Sequence, residues 1–146
     1  MKPKYIADKL ENLLHDVQRP ARYVGGEVNS IRKEWKSSFL KVALGFPDIY
    51  DLGMSNLGLA ILYEIINEQE DMLAERVFLP WEDMEKIMVS ENIPLYSLES
   101  YHLVENFDLL GLTLPYEQLF TNVLHLLNLS NIPMRTSNRL AGNYPI

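Results

Sequence analysis

Apolar side chains at Ile6, Leu10, Leu13, Leu14 and Val17 follow the spacing of one helical stripe, which predicts an amphipathic helix near the N-terminus. Arg19-Pro20 ends it, because a residue that precedes proline is pushed out of the helical region. Three turns are marginal alone in water, so this stripe must dock on something larger. The next segment, Ala21 to Glu27, is built around the pair Gly25-Gly26 and reads as turn chemistry, because it lacks the spacing of a phosphate-binding loop. Trp35, in the polar stretch Asn29–Lys36, reads as a packing anchor.

From Phe39 the pattern changes. Leu40, Val42, Leu44 and Phe46 alternate with mostly small residues, which predicts a strand buried on both faces, with Pro47 as its stop. A loop from Asp48 to Met54 follows, and Ser55 is the expected N-cap of a helix carrying Leu57, Ile61, Leu62, Ile65 and Ile66. Arg76–Leu79 predicts a second strand, and Pro80 with Glu82, Asp83 and Glu85 predicts the acidic start of a second helix. Ile93–Leu98 suggests a short edge strand, since Pro94 argues against a central place. Leu109–Leu114 predicts a third core strand, Tyr116–Leu129 a third helix, and Ile132–Arg135 a brief strand. The expected fold is α/β: a doubly wound, mostly parallel sheet, incomplete and preceded by an N-terminal helix. Residues 1–38 form the helix and lead-in, and 39–146 the α/β domain. The alternation breaks off at Tyr144-Pro145-Ile146 as though another strand were about to begin.

Composition narrows the chemistry. The 146 residues contain no cysteine, which excludes disulfides, thiolate metal sites and a cysteine nucleophile within this chain. Thirteen basic against twenty acidic residues leave a net charge of -7, a poor balance for a nucleic-acid binder. No apolar run is long enough to span a membrane, and the N-terminus lacks the apolar core of a signal peptide. A cytoplasmic location is expected.

Ligands of open parallel sheets bind beyond the carboxyl ends of the strands. Two loops qualify, Pro47 to Gly58 and Thr113 to Glu117. Asp48 with Asp51 has the chemistry of a Mg²⁺ site, although carboxylates at a strand end more often cap turns. His15, His102 and His125 follow no metal-ligand spacing and read as structural. Nothing in the sequence forms a nucleophile–base pair.

The run Asp48-Ile49-Tyr50-Asp51-Leu52-Gly53-Met54-Ser55-Asn56-Leu57-Gly58-Leu59 resembles the early part of a family of radical S-adenosylmethionine (SAM) proteins described as Fe–S oxidoreductases. Further blocks extend the resemblance over nearly the whole chain: Arg19 to Glu27, Ala74 to Val77, Pro80-Trp81 with Asp83-Met84, Ser97 to Ser100, and Tyr116-Glu117 with Thr121 to Leu124. The resemblance implies a flavodoxin-like, cobalamin-binding-like accessory domain ahead of a radical SAM barrel that holds a 4Fe–4S cluster and S-adenosylmethionine. Cluster and barrel would lie outside this chain, which would itself catalyse nothing.

In that family frame, Asp48, Tyr50, Gly53, Met54, Ser55, Asn56 and Thr113 would line the cofactor-facing edge. Where histidine-ligated cobalamin domains carry Asp-x-His-x-x-Gly, this chain has Asp48-x-Tyr50-x-x-Gly53, and a phenol is a poor cobalt ligand at neutral pH. The alternatives are a cofactor-free docking domain of the same kind of protein, or a free-standing flavodoxin-like binding domain. The expected partner is the radical SAM barrel of the parent chain, and dimerisation across an open sheet edge is a further expectation.

Overall fold

The computed structural model describes residues 1–36 and 38–146. Its centre is a three-stranded, all-parallel sheet of β1 (Leu40–Ile49), β2 (Met72–Leu79) and β3 (Leu109–Leu112), in the order β2-β1-β3. That is the order in which flavodoxin-like sheets begin. β1 is central and buried from Val42 to Pro47, as its continuous apolar character requires.

Val42, Leu44 and Phe46 face one side, where α3 (Leu57–Glu68) packs through Leu59 and Tyr63. Ala43 faces the other side with Val77 and Leu79 of β2. There it meets Met84 and Met88 of α4 (Glu82–Ser90), Leu126 of α5 (Leu119–Leu129), and Ile6 and Leu10 of α1 (Pro3–Leu13). Both faces are thus covered. The N-terminal stripe docks through Ile6, Leu10 and Val17 into the same core as the α/β body.

Several elements differ from the sequence expectation. Pro47 does not stop β1. The ladder passes from the Phe46–Phe78 pair to Ile49–Leu79, so Pro47 and Asp48 stand outside it as a bulge, where a missing N–H leaves no gap. The carbonyl of Pro47 accepts a hydrogen bond from Asn122 Nδ2 (2.9 Å). The expected loop after β1 contains a one-turn helix, α2 (Tyr50–Gly53). Ser55 is not the N-cap of α3. Its hydroxyl donates to Leu52 O, and Asn56 caps the helix by accepting from Leu59 N (2.9 Å). β2 begins four residues earlier than expected, and α5 starts at Leu119 after a turn that holds Tyr116.

Ile93–Leu98 is not a strand; it makes one antiparallel bridge, Tyr96 with Leu103. Ile132–Arg135 is likewise irregular and leads into the short α6 (Thr136–Leu140). The free edge of β3 is met by Ile146, whose N–H donates to Asp108 O and whose carbonyl accepts from Leu110 N, a parallel pairing opposite Leu109.

Among the described residues, no fourth strand pairs with the outer edge of β2. Side chains take its place. The Asn67 amide bonds both N and O of Ala74 at 3.0 Å, and Glu99 accepts from Arg76 N (2.8 Å), while Leu98 N donates to Arg76 O (2.9 Å). The edge is thereby closed to another chain. Lys33 is placed just as locally: its ammonium donates to the carbonyls of Asn67, Gln69 and Met72, neutralising the C-terminal end of α3.

Candidate functional site

Arg76 leaves β2 on the face covered by α3, and its side chain is only 9% exposed. A guanidinium so deeply buried must be paired. Nε donates to Glu99 (2.6 Å), Nη2 to Glu27 (3.0 Å) and Nη1 to the thioether of Met54 (3.1 Å), and the Tyr63 ring lies 4.6 Å from the guanidinium carbon. Glu27 also accepts from the Tyr50 hydroxyl (2.9 Å). The lead-in, α2, α3 and the Ser97–Tyr101 segment thus converge on one cation. Beside it lies a cavity of about 250 Å³ between the lead-in and the α2–α3 junction.

Of the expected site residues, Tyr50, Gly53, Met54 and Asn56 gather around this cluster. Asp48 turns back on its own loop and accepts from Ile49 N (2.7 Å). Ser55 bonds within its turn, and Thr113 lies on the opposite flank of β1, its N–H donating to Gly45 O (2.9 Å). Asp51 pairs with Arg19 (2.7 Å) and Arg22 (2.5 Å), and the Arg22 contact is close but poorly aligned for a hydrogen bond. Both arginines hold its carboxyl below the usual range, Arg22 foremost. Asp48 and Asp51 therefore do not form a Mg²⁺ site, and no cluster of three or more metal-ligating side chains occurs among the described residues.

A second polar array sits at the β2 edge. Ser97 and Ser100 both donate to buried Glu75 (2.5 and 2.6 Å), and Ser100 Oγ lies 2.6 Å from His102 Nδ1. Because the Ser100 proton goes to Glu75, His102 must carry its own proton on Nδ1 and donate it to Ser100. Its ring stacks on Trp35 at 3.6 Å, and Trp35 meets Phe107 edge-on, so the tryptophan is the packing anchor its setting suggested. Burial lowers His102 from 6.5 to about 4. The neutral ring is therefore the native form, and the stability it contributes is present above pH 6.5 and lost as pH falls through about 4. An NMR titration of the three histidines should show His102 still neutral at about pH 5.5, and a midpoint near 6.5 would contradict its burial.

Residues 58–146 match the family model for the N-terminal region of radical SAM proteins, more than half of the chain. The chain belongs to this family. No curated protein and no solved structure matches it. Within the radical SAM N-terminal domain, the matched part supplies Tyr63, Arg76 and Glu99, while Glu27, Tyr50 and Met54 come from outside it.

The cobalamin that the resemblance implies can be tested against these residues. Tyr50 occupies the place of a ligating histidine. Its hydroxyl is donated to Glu27, and burial with that carboxylate pushes it up to about 12. Gly53, in that frame a residue of the cofactor-facing edge, is packed inward: a Cβ there would meet Phe78 and Phe46 side chains. Its smallness serves packing. At this edge Tyr50, tied to Glu27, offers cobalt no axial ligand.

Sequence reasoning missed Arg76, Glu27 and Glu99. The signal available was that each of the three lies in a block that carries the family resemblance, Arg19 to Glu27, Ala74 to Val77 and Ser97 to Ser100.

Proposed function

We propose that this radical SAM N-terminal domain is a non-catalytic docking domain that packs against the catalytic part of its parent protein. The observation that supports the reading is the outer face of α3. Leu57, Ile61 and Ile65, spaced one turn apart, are 72%, 47% and 53% exposed, and Leu62 beside them is 47% exposed. An apolar stripe on the outer side of a helix whose inner face is already taken by the sheet calls for a further partner. The sequence pattern that predicted α3 is this outward stripe, whereas Leu59, Tyr63 and Asn67 form the buried side. The family supplies the occupant, since an N-terminal domain of a radical SAM protein has a catalytic part to meet.

The polar groups at the carboxyl end of β1 support the same reading, because Tyr50, Asp51, Ser55 and Asn56 are all bonded within the chain. The test is the double variant Ile61→Lys/Ile65→Lys in the full-length protein. Both positions are solvent-facing, so the domain should keep its helicity and unfolding midpoint. Turnover should fall at least about tenfold, with faster hydrogen exchange at residues 57–66. Wild-type turnover and unchanged exchange would remove the docking reading. Hydroxocobalamin added to the full-length protein distinguishes the cofactor-binding alternative: a saturable change in its visible spectrum would favour that role. Dimers dispersed by the lysine pair would assign the stripe to a second copy.

A further inference from the structure

The cavity beside Arg76 has a donor and acceptor set that the docking reading does not use. A guanidinium has five N–H groups. Two meet carboxylates and one meets the sulfur of Met54, a weak acceptor, so the Nη1 end of a 91%-buried cation lacks a strong partner among the described residues. A charged donor in such surroundings gains most from an anionic oxygen.

A bare anion is nevertheless a poor match. Glu27 and Glu64 also line the cavity, and Glu99 stands behind Arg76, so the local charge is negative. The ligand that suits both features carries a carboxylate and a cationic group on one small skeleton. Ile31, Ala60 and Tyr63 supply an apolar wall for its remainder. A volume of about 250 Å³ falls just below the ~300–1000 Å³ of pockets for drug-sized ligands, which sets the size at a small metabolite.

We propose that this cavity binds a small zwitterion of the α-amino-acid class, with its carboxylate on Arg76 Nη1 and its ammonium between Glu27 and Glu64. The site is separate from the α3 stripe, and either assignment can fail alone. The test is calorimetric titration of the full chain with L-leucine, L-methionine and L-phenylalanine at millimolar concentration. Two probes retain the leucine skeleton with one charge each, 4-methylpentanoate and 3-methylbutylamine.

At least one amino acid should bind saturably, about tenfold or more tighter than both single-charge probes. Ala60→Leu, at a solvent-facing position of α3 that borders the cavity, should weaken that binding at least about tenfold and leave the unfolding midpoint in place. Glu64→Gln should weaken the amino acid but not 4-methylpentanoate. Absence of binding by all three amino acids overturns the proposal. So does equal binding of either single-charge probe, or indifference to Ala60→Leu.

Discussion

Glu99→Ala should destabilise the protein by about 3–5 kcal/mol, the loss expected when one partner of a buried ion pair is removed and the other charge stays behind. Glu99 is 1% exposed at its side chain and accepts two bonds from Arg76, one from Nε and one from the backbone N–H at the sheet edge. Its removal strands a guanidinium and reopens the β2 edge in one step. Glu99→Gln keeps the shape and one acceptor, so its loss should be clearly smaller. Replacing both partners by apolar residues, Arg76→Met with Glu99→Leu, should recover much of the stability.

Urea unfolding at about pH 8 reads these losses with the carboxylate ionised. Burial, working against the pull of Arg76, pushes Glu99 up from 4.5 to about 7. The folded state therefore holds that proton more tightly than the unfolded chain. The proton-linked part of the stability is full below pH 4.5 and is lost as pH rises through about 7, opposite in sign to His102, and the ion pair itself is what remains to be read at pH 8. A loss below about 1 kcal/mol in Glu99→Ala would show that the pair is not buried in solution.

Gly25→Ala is the second large expected effect, and Gly26→Ala is its internal control. Both glycines have positive φ, +59° and +85°, so alanine at either pays the left-handed penalty of about 1–2 kcal/mol. Only Gly25 also presses on the backbone: a Cβ there would meet the carbonyl oxygen of Leu98, whereas a Cβ at Gly26 has open space. Leu98 cannot retreat freely, because its N–H is bonded to Arg76 O and its side chain is in the core. Gly25→Ala should therefore lose about 1–3 kcal/mol more than Gly26→Ala, the usual range for forced overpacking. Equal losses in thermal unfolding would mean that the lead-in does not rest on the Leu98 segment.

The strands and helices of the α/β body were legible because burial imposes their periods directly. Val42, Leu44 and Phe46 face one helix layer and Ala43 the other, so β1 had to read as an almost unbroken apolar run. The errors fall where local rules compete with long-range pairing. Pro47 breaks a strand in isolation but is harmless at a bulge beyond the β3 pairing. Ser55 and Asn56 are both good N-caps, and the chain uses the one whose carbonyl oxygen reaches Leu59 N. On α3 the periodic apolar positions were visible, but which of two apolar faces meets the sheet was not.

The sequence by itself determined the class of this protein: an α/β chain without cysteine, with parallel strands, a docked N-terminal stripe and the motifs of a radical SAM N-terminal region. The fold class follows from composition and short-range periodicity, which each residue carries wherever it sits, and the family from the short blocks that resemble it. Only the tertiary structure decided that Glu27, Tyr50, Met54, Arg76 and Glu99 meet, since they lie up to 72 residues apart in four separate blocks and no block says which of the others it touches. A buried cation is stable only where carboxylates from separate elements reach it. Where they meet is fixed by the packing of the lead-in and the Ser97–Tyr101 segment on β2, and no local pattern encodes it.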